Sequence, residues 1–146
     1  MIEPRPARID EAPSCARILQ AWMDETPWMP KLHALAETER WVAEGLFPRA
    51  EVWVIDEGEV SGFVALKDRR EIVQLVLAPL ARRRGLGGRL LGAAKARAED
   101  GLSLWCFAAN APALRFYARE GFCVVGGTAG ENEEGLPDLR LEWWPA

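Results

Sequence analysis

Cys15, Ile18, Leu19, Trp22 and Met23 recur at i, i+3, i+4, i+7 and i+8, the spacing of one face of an α-helix. The pattern predicts a helix from Ala12, with Pro13 in the first turn, where its missing N–H costs nothing. Before it, Arg5-Pro6-Ala7-Arg8-Ile9-Asp10 reads as a short strand entering a turn. Pro27 and Pro30 interrupt residues 24–33. A second helix is predicted over 34–46, with Leu35, Val42 and Leu46 on its inner side. The period then changes. Glu51–Asp56 and Val60–Leu66 read as a hairpin about the turn Glu57-Gly58-Glu59. Ile72–Ala78 is nearly all apolar, as for a central strand covered on both faces, and Pro79 ends it.

The second half continues the alternation. Leu86, Leu90, Leu91, Ala94 and Ala98 mark an amphipathic helix ending near Asp100-Gly101. Leu102–Ala108 is an apolar strand, and Pro112–Glu120 is a short helix that Gly121 closes as a C-terminal cap. Residues 122–125 and 139–143 are the last two strands, with an acidic loop at 130–138 between them. The order is β-α-α-β-β-β-α-β-α-β-β, without repeat, linker or low-complexity tract. The expected class is mixed α/β (α+β), as one domain spanning 1–146 with a central sheet of six to seven strands and four helices.

Composition narrows the chemistry. The chain has 146 residues, 49% apolar and 27% charged, which is ordinary for a globular domain. With a net charge of -4, nothing suggests a general nucleic-acid binder, which usually carries a basic excess, and no nucleic-acid partner is expected. Any anion site must be local, and Arg82, Arg83, Arg84 and Arg89 form the one basic cluster that stands out. Cys15, Cys106 and Cys123 are odd in number and widely spaced, which argues against zinc and for reduced, partly buried thiols. His33 is the only histidine, so metal sites built on several histidines are excluded. No GxSxG elbow supports a serine hydrolase. Charges in Met1–Arg5 oppose a signal peptide, and no run reaches the roughly 18 apolar residues of a membrane helix. No membrane partner is expected, and the expected location is the cytoplasm.

The most informative segment runs from Leu75 to Leu91. It is a buried strand, a sharp exit, a glycine-rich turn and a helix start. The first N–H groups of a helix have no internal partner and carry the positive end of its dipole. Gly85, Gly87 and Gly88 let a ligand approach that backbone, which suits a phosphate or pyrophosphate. The arginines add charge-assisted bonds. The plain alternative is a strand–helix turn with glycines for packing and arginines for solubility. The GxxxxGK[ST] spacing is absent, and Leu90 stands where a dinucleotide fingerprint has its third glycine.

Arg82-x-x-Gly85-x-Gly87, after a strand ending in proline, resembles the coenzyme A signature of the GNAT superfamily of N-acetyltransferases. Asn110-Ala111-Pro112-Ala113-Leu114-Arg115-Phe116-Tyr117-Ala118-Arg119-Glu120-Gly121-Phe122 is similar to the family's Asn-x-x-Ala-x-x-Phe-Tyr-x-x-x-Gly-Phe segment. The two segments stand at the expected separation, and the element order agrees with the family fold. The loop Gly130–Asp138 resembles a segment of a group of small bacterial-type acetyltransferases.

The resemblance implies a splayed pair of central strands, with acetyl-CoA in the slot between them and no metal. It places the pyrophosphate on Arg82, Arg83, Arg84, Gly85, Leu86, Gly87 and Gly88, pantetheine against the backbone of Val76 and Leu77, and Asn110 on the pantetheine arm. One of the backbone N–H groups near Val76 and Leu77 would polarise the thioester carbonyl. It implies Tyr117, the only tyrosine, as proton donor to the departing thiolate. Glu71 is the implied amine-activating carboxylate, with Asp68, Gln74 and Glu51 as competitors and a solvated strand-start charge as the plain alternative. Trp28, Met29, Pro30 and His33 would wall the acceptor pocket or simply pack a turn. The acidic loop would attract a cationic amine or be a solvated turn. The seven tryptophans are expected mostly in the core.

The implied reaction transfers acetyl from acetyl-CoA to a small-molecule or peptide amine by direct attack. Two other classes compete: a non-catalytic acyl-CoA-binding module with the same fold, and a nucleotide phosphate binder. Dimers are frequent in the family, so a homodimer is compatible with the resemblance.

Overall fold

The structure is a computed structural model that describes residues 2–145. The expected domain 1–146 extends to Met1 and Ala146, which lie outside the described residues. The strands are β1 (Arg5–Pro6), β2 (Glu51–Asp56), β3 (Val60–Lys67), β4 (Glu71–Leu77), β5 (Leu102–Phe107), β6 (Cys123–Thr128) and β7 (Asp138–Trp143). The helices are α1 (Ala12–Glu25), α2 (Leu35–Arg40), α3 (Leu86–Arg97) and α4 (Ala111–Arg119). Element order is as the hydrophobic pattern predicts. α3 ends at Arg97, short of the expected Asp100-Gly101, and β6 runs on to Thr128. No described helix is long and apolar enough to cross a membrane.

The seven strands form one sheet in the order β1-β2-β3-β4-β5-β7-β6. All neighbours are antiparallel except β4 and β5, which α3 connects as parallel strands. One face packs α3 and α4, where Leu66, Ile72, Leu90, Leu91, Leu104 and Leu141 meet. The opposite face packs α1 and the end of the second helix, through Cys15, Leu19, Val42, Phe63, Ala65 and Val76. Each such side chain taken out of water contributes about 1.5–3 kcal/mol before entropy is charged against it.

The second helix departs from expectation in a telling way. After Arg40 it widens into a π-helical turn, Trp41–Leu46. Its buried stripe runs Thr38, Val42, Leu46, in steps of four. Leu35 lies in the first turn and is exposed, contrary to its expected inner position. Gly45 lets the Trp41 indole lie over the helix: a Cβ there would stand 3.0 Å from Trp41 Cδ1.

The loop between α1 and α2 is held firmly despite its two prolines. Lys31 Nζ donates to the carbonyls of Met23 (2.6 Å), Asp24 (2.9 Å) and Thr26 (3.2 Å). A cation there satisfies orphan carbonyls and complements the helix dipole. Gln20 Nε2 donates to the His33 carbonyl at 3.0 Å, and Thr38 Oγ1 donates to Gln20 Oε1.

Candidate active site

The sheet parts between β4 and β5. The two strands pair only at Glu71 and Ser103. On its other edge β4 pairs Gln74 with Ala65 and Ile72 with Leu66, which leaves Val73 as an extra residue, a β-bulge. A bulge bends its strand and increases the twist, and here it carries β4 away from β5 immediately past their one contact. The result is a cleft of about 1290 Å³, walled by residues 72–77 on one side and 104–107 on the other. This explains why Val73, Leu75 and Leu77 are only half-buried in a strand expected to be covered on both faces.

Strand alternation decides which peptide groups face the cleft. Ala78 donates its N–H to the Ser61 carbonyl at 2.8 Å. Leu77, opposite Gly62, therefore turns its own N–H and C=O away from β3, and Leu75 does the same two residues earlier. This corrects the expectation for Val76: its peptide groups turn toward Phe63, and the backbone facing the slot belongs to Leu75 and Leu77. The Leu77 carbonyl accepts from Arg82 Nε at 3.2 Å.

One end of the cleft is the turn into α3. Gly85 is its N-cap in the left-handed region, at φ +76°, which favours glycine. Among the described residues no protein acceptor meets the N–H groups of Arg83 through Gly88. Such a row at a helix start fits a pyrophosphate. Gly87 lines the cleft beside Leu77 and Phe116. The arginines divide by partner. Arg84 pairs with Glu57 (2.5 Å), Arg89 with Glu3 (2.7 Å) and Arg82 with Glu25 (2.5 Å). Arg83, at φ +62°, has no ion-pair partner among the described residues and lines the cleft with Arg82. Arg84 is turned to the β2–β3 turn.

Asn110 and Tyr117 come from α4. Asn110 caps that helix, its Oδ1 accepting from the Ala113 N–H at 3.3 Å, while its side chain borders the cleft. Gly121, at φ +95°, closes the helix as expected. Tyr117 is buried, with its ring edge-on to Phe116 (5.1 Å) and Phe122 (5.3 Å). It borders the cleft, and its hydroxyl makes no hydrogen bond among the described residues. Burial, then the neighbouring Cys106, pushes its phenol further above the usual tyrosine range. Burial also pushes the Cys106 thiol up to about 11 and the Cys15 thiol up to about 12, so both stay protonated. Cys123, expected partly buried, is exposed.

Glu71 stands at the closed root of the slot rather than in its lining. Its carboxylate lies 4.0 Å from Arg140 Nη1. Arg140 donates to Ser103 Oγ (2.8 Å) and lies over the Trp105 ring (5.3 Å). Among its competitors, Glu51 is engaged by Arg97 at 2.8 Å, Asp68 sits in a left-handed turn, and Gln74 lines the cleft.

The other end of the cleft is aromatic and acidic. Trp22, Trp28 and Phe107 form an edge-to-face row, with centroids 6.0 and 5.8 Å apart, from α1 to the end of β5. Trp41 and Trp105 add further walls. None of the seven tryptophans is fully buried: Trp22, Trp53 and Trp143 pack half-buried against the core as expected, whereas Trp41, Trp105 and Trp144 are exposed, contrary to expectation. His33 reaches the acidic loop, with Nε2 2.8 Å from Glu133 and Nδ1 3.5 Å from Glu37. Glu37, then Glu133, raises the imidazole above its ordinary value. Glu134 borders the cleft beside them. Trp41, Trp105 and Glu37 carried no sequence motif; the tryptophan count was the only signal for the first two, and Glu37 had none. Among the described residues no cluster has the makings of a metal site.

The splayed pair and the unbonded glycine turn together form one cleft with a polar end, and comparison with known proteins gives the family. The acetyltransferase (GNAT) family model matches residues 15–122, and the chain belongs to that family. It is 31% identical to peptidyl-lysine N-acetyltransferase YiaC of Escherichia coli (strain K12), over 95% of this chain and 94% of the relative. Its fold is similar to the solution structure of apo-form YjaB from Escherichia coli, with TM-score 0.80, 25% identity, and 100% and 99% of the two chains covered. It is also similar to yncA from Salmonella typhimurium, whose structure contains its cofactor acetyl-CoA, with TM-score 0.75, 17% identity, and 99% and 94% covered. The family supports an acyltransferase that uses acetyl-CoA.

Proposed function

We propose that this chain transfers the acetyl group of acetyl-CoA to the primary amine of a lysine side chain in a peptide or protein, by direct attack. The carrying observation is the cleft between β4 and β5, with unbonded N–H groups at one end and aromatic and acidic walls at the other. The residues present fit the co-substrate. The N–H groups of residues 83–88 and the Arg83 guanidinium bind the pyrophosphate, and the Leu75 and Leu77 peptide groups pair with the pantetheine arm. The lysine acceptor is supported by the relative that acts on peptidyl lysine. Aromatic faces and carboxylates at the far end suit an alkyl ammonium.

In the reaction the amine nitrogen attacks the thioester carbonyl carbon. The Leu75 N–H stabilises the charge that develops on oxygen. As the C–S bond breaks, Tyr117 gives its hydroxyl proton to the departing sulfur. Glu71 accepts the proton lost by the amine through intervening water. Burial of Tyr117 disfavours a lone phenolate, so its proton moves only as the thiolate forms, and water returns a proton afterwards. The same reading assigns the reaction to the cytoplasm, where the three free thiols stay reduced.

The test is steady release of CoA thiol across a panel of amines. Turnover with lysine peptides above that with free amino acids and polyamines is the expected result. Binding of acetyl-CoA without turnover on any amine would instead favour a non-catalytic module.

A further inference from the structure

We propose that Gln74 positions the attacking amine, its side-chain oxygen accepting one amine N–H while the nitrogen lone pair meets the thioester carbonyl. The inference rests on the transferase reading above and adds to it a residue that touches the acceptor.

The bulge in β4 decides where Gln74 points. Side chains along a strand alternate between the two faces of a sheet, so Ile72 and Gln74 would share a face in a regular strand. Here they do not. Ile72 pairs with Leu66, and both belong to the core under α3 and α4. Gln74 pairs with Ala65, which belongs with Val76 to the core under α1. Residues directly opposite in a ladder lie on the same face. The extra residue, Val73, therefore moves Gln74 to the α1 side, and bulges beside active sites re-aim side chains in this way.

The α1 side is where an amine has room to arrive. Tyr117 and the turn before Leu86 lie on the α3–α4 side of the cleft. Leu19, Trp22 and Met23 of α1 line the other side, and half-buried Gln74 lines it with them. The Gln74 amide makes no hydrogen bond to the described residues, and no fully buried side-chain polar atom among them lacks a partner, so the amide opens into the cleft. Gln20, the other glutamine of the chain, uses its amide inside the fold: it donates to Asp24 and to the His33 carbonyl and accepts from Thr38. A half-buried amide in an apolar wall is costly without a partner, and a polar group of the substrate supplies one.

The reacting atoms stand next to it. The Leu75 N–H belongs to the peptide unit that follows Gln74 directly. A thioester carbonyl held by that N–H lies beside the Gln74 side chain. A neutral primary amine has two N–H groups and one lone pair. The lone pair attacks the carbonyl carbon, one N–H donates to Gln74 Oε1, and the other points to the water that leads to Glu71. The nitrogen becomes positive as the C–N bond forms, so its bond to Gln74 is stronger in the transition state than in the ground state. An amide takes up no proton, and the proton lost by nitrogen still passes toward Glu71.

Gln74→Leu keeps the bulk and removes the oxygen. Its kcat/KM for a lysine peptide should fall on the order of tenfold, the scale of one hydrogen bond. Acetyl-CoA affinity should be unchanged and the melting temperature no lower, which reports an intact fold. Gln74→Glu keeps an acceptor oxygen at the same reach and should recover most of the loss above the pH at which its carboxyl ionises. A second probe needs no turnover: CoA joined through an acetyl bridge to Nε of a lysine peptide, which presents an amide N–H in place of the amine. Calorimetry should give Gln74→Leu on the order of tenfold weaker binding of this probe and wild-type binding of CoA alone. Equal probe binding by wild type and Gln74→Leu would overturn the contact. So would wild-type kcat/KM in Gln74→Leu, or a Gln74→Glu variant that recovers nothing. A wild type that turns over no amine, yet binds the probe more tightly than Gln74→Leu does, would overturn the transferase reading and leave the contact standing.

Discussion

Glu71 on β4 and Ser103 on β5 are the one residue pair at which the two central strands meet. Two residues later the Val73 bulge turns β4 aside. The cleft therefore has a fixed hinge line, and its width is set by backbone geometry rather than by side chains that could repack. Arg140 spans the same junction through Ser103 and the ring of Trp105, with Glu71 within reach.

Phosphate recognition should separate Arg83 from Arg84. Arg84 is held by Glu57, and Arg83 faces the cleft without an ion-pair partner among the described residues. Calorimetry should give Arg83→Ala a loss of acetyl-CoA affinity on the order of tenfold, the scale of a charge-assisted bond, and Arg84→Ala almost none. Gly87→Asp sets a carboxylate against the same row of N–H groups and should abolish binding while the fold persists. Equal losses for the two arginines would refute this division.

Tyr117→Phe keeps the ring between Phe116 and Phe122 and removes only the hydroxyl. Because that hydroxyl bonds no protein group among the described residues, the melting temperature and acetyl-CoA affinity should stay near wild type. Turnover should fall on the order of 10²-fold. Full turnover in this variant would remove Tyr117 from the chemistry.

Glu71→Gln tests the base. kcat should drop on the order of 10²-fold with little change in acetyl-CoA affinity, and the pH–rate profile should change shape. An unaltered profile would return Glu71 to a strand-start charge that faces Arg140.

His33 is the only histidine, so its ring protons can be followed by NMR without overlap. Glu37 and Glu133 raise its pKa, so it should titrate above the ordinary value near about 6.5. The sign follows from the raised value. The imidazolium contacts stabilise the fold fully below the unfolded value and are lost as pH rises through the folded one. Both carboxylates are largely exposed, so salt should weaken the effect. Glu133→Gln should lower the titration midpoint; no movement would mean the contact is not formed in solution.

Glu11 behaves in the opposite sense. Arg5 holds it by two hydrogen bonds (2.6 and 3.0 Å) and the Arg8 N–H by a third (2.8 Å), tying β1 to the start of α1. The Arg5 bonds lead in lowering its carboxyl to about 2. Its stabilising contribution is present above the unfolded value near about 4.3 and disappears as pH falls toward 2. Glu11→Gln should therefore melt lower than wild type at neutral pH, with the two converging in acid.

Much of this was legible along the chain. The helical spacing of Cys15, Ile18 and Leu19 became the buried face of α1. The glycine turn before Leu86 became a helix start with a left-handed N-cap and a row of unbonded N–H groups. Both are local properties, set by residues a few positions apart.

Other features were not legible, because they depend on which strands lie side by side. Leu35 fits a helical stripe, but the π-turn after Arg40 shifts that stripe to Thr38, Val42 and Leu46. Trp41 and Trp105 read as core by hydrophobicity, yet the parting of β4 from β5 left them as cleft walls. Contact between His33 and Glu133 joins residues a hundred positions apart, and no local pattern encodes it.

The sequence by itself determined the order of elements, the glycine-rich turn at a helix start and the family, because each rests on periodicity or on residues spaced within one turn. The tertiary structure alone decided which arginines face the cleft and which one is left without an ion-pair partner among the described residues, which peptide groups line it, and where Glu71 stands. Those depend on strand register and on a single bulge, and one extra residue in a ladder redirects every group beyond it.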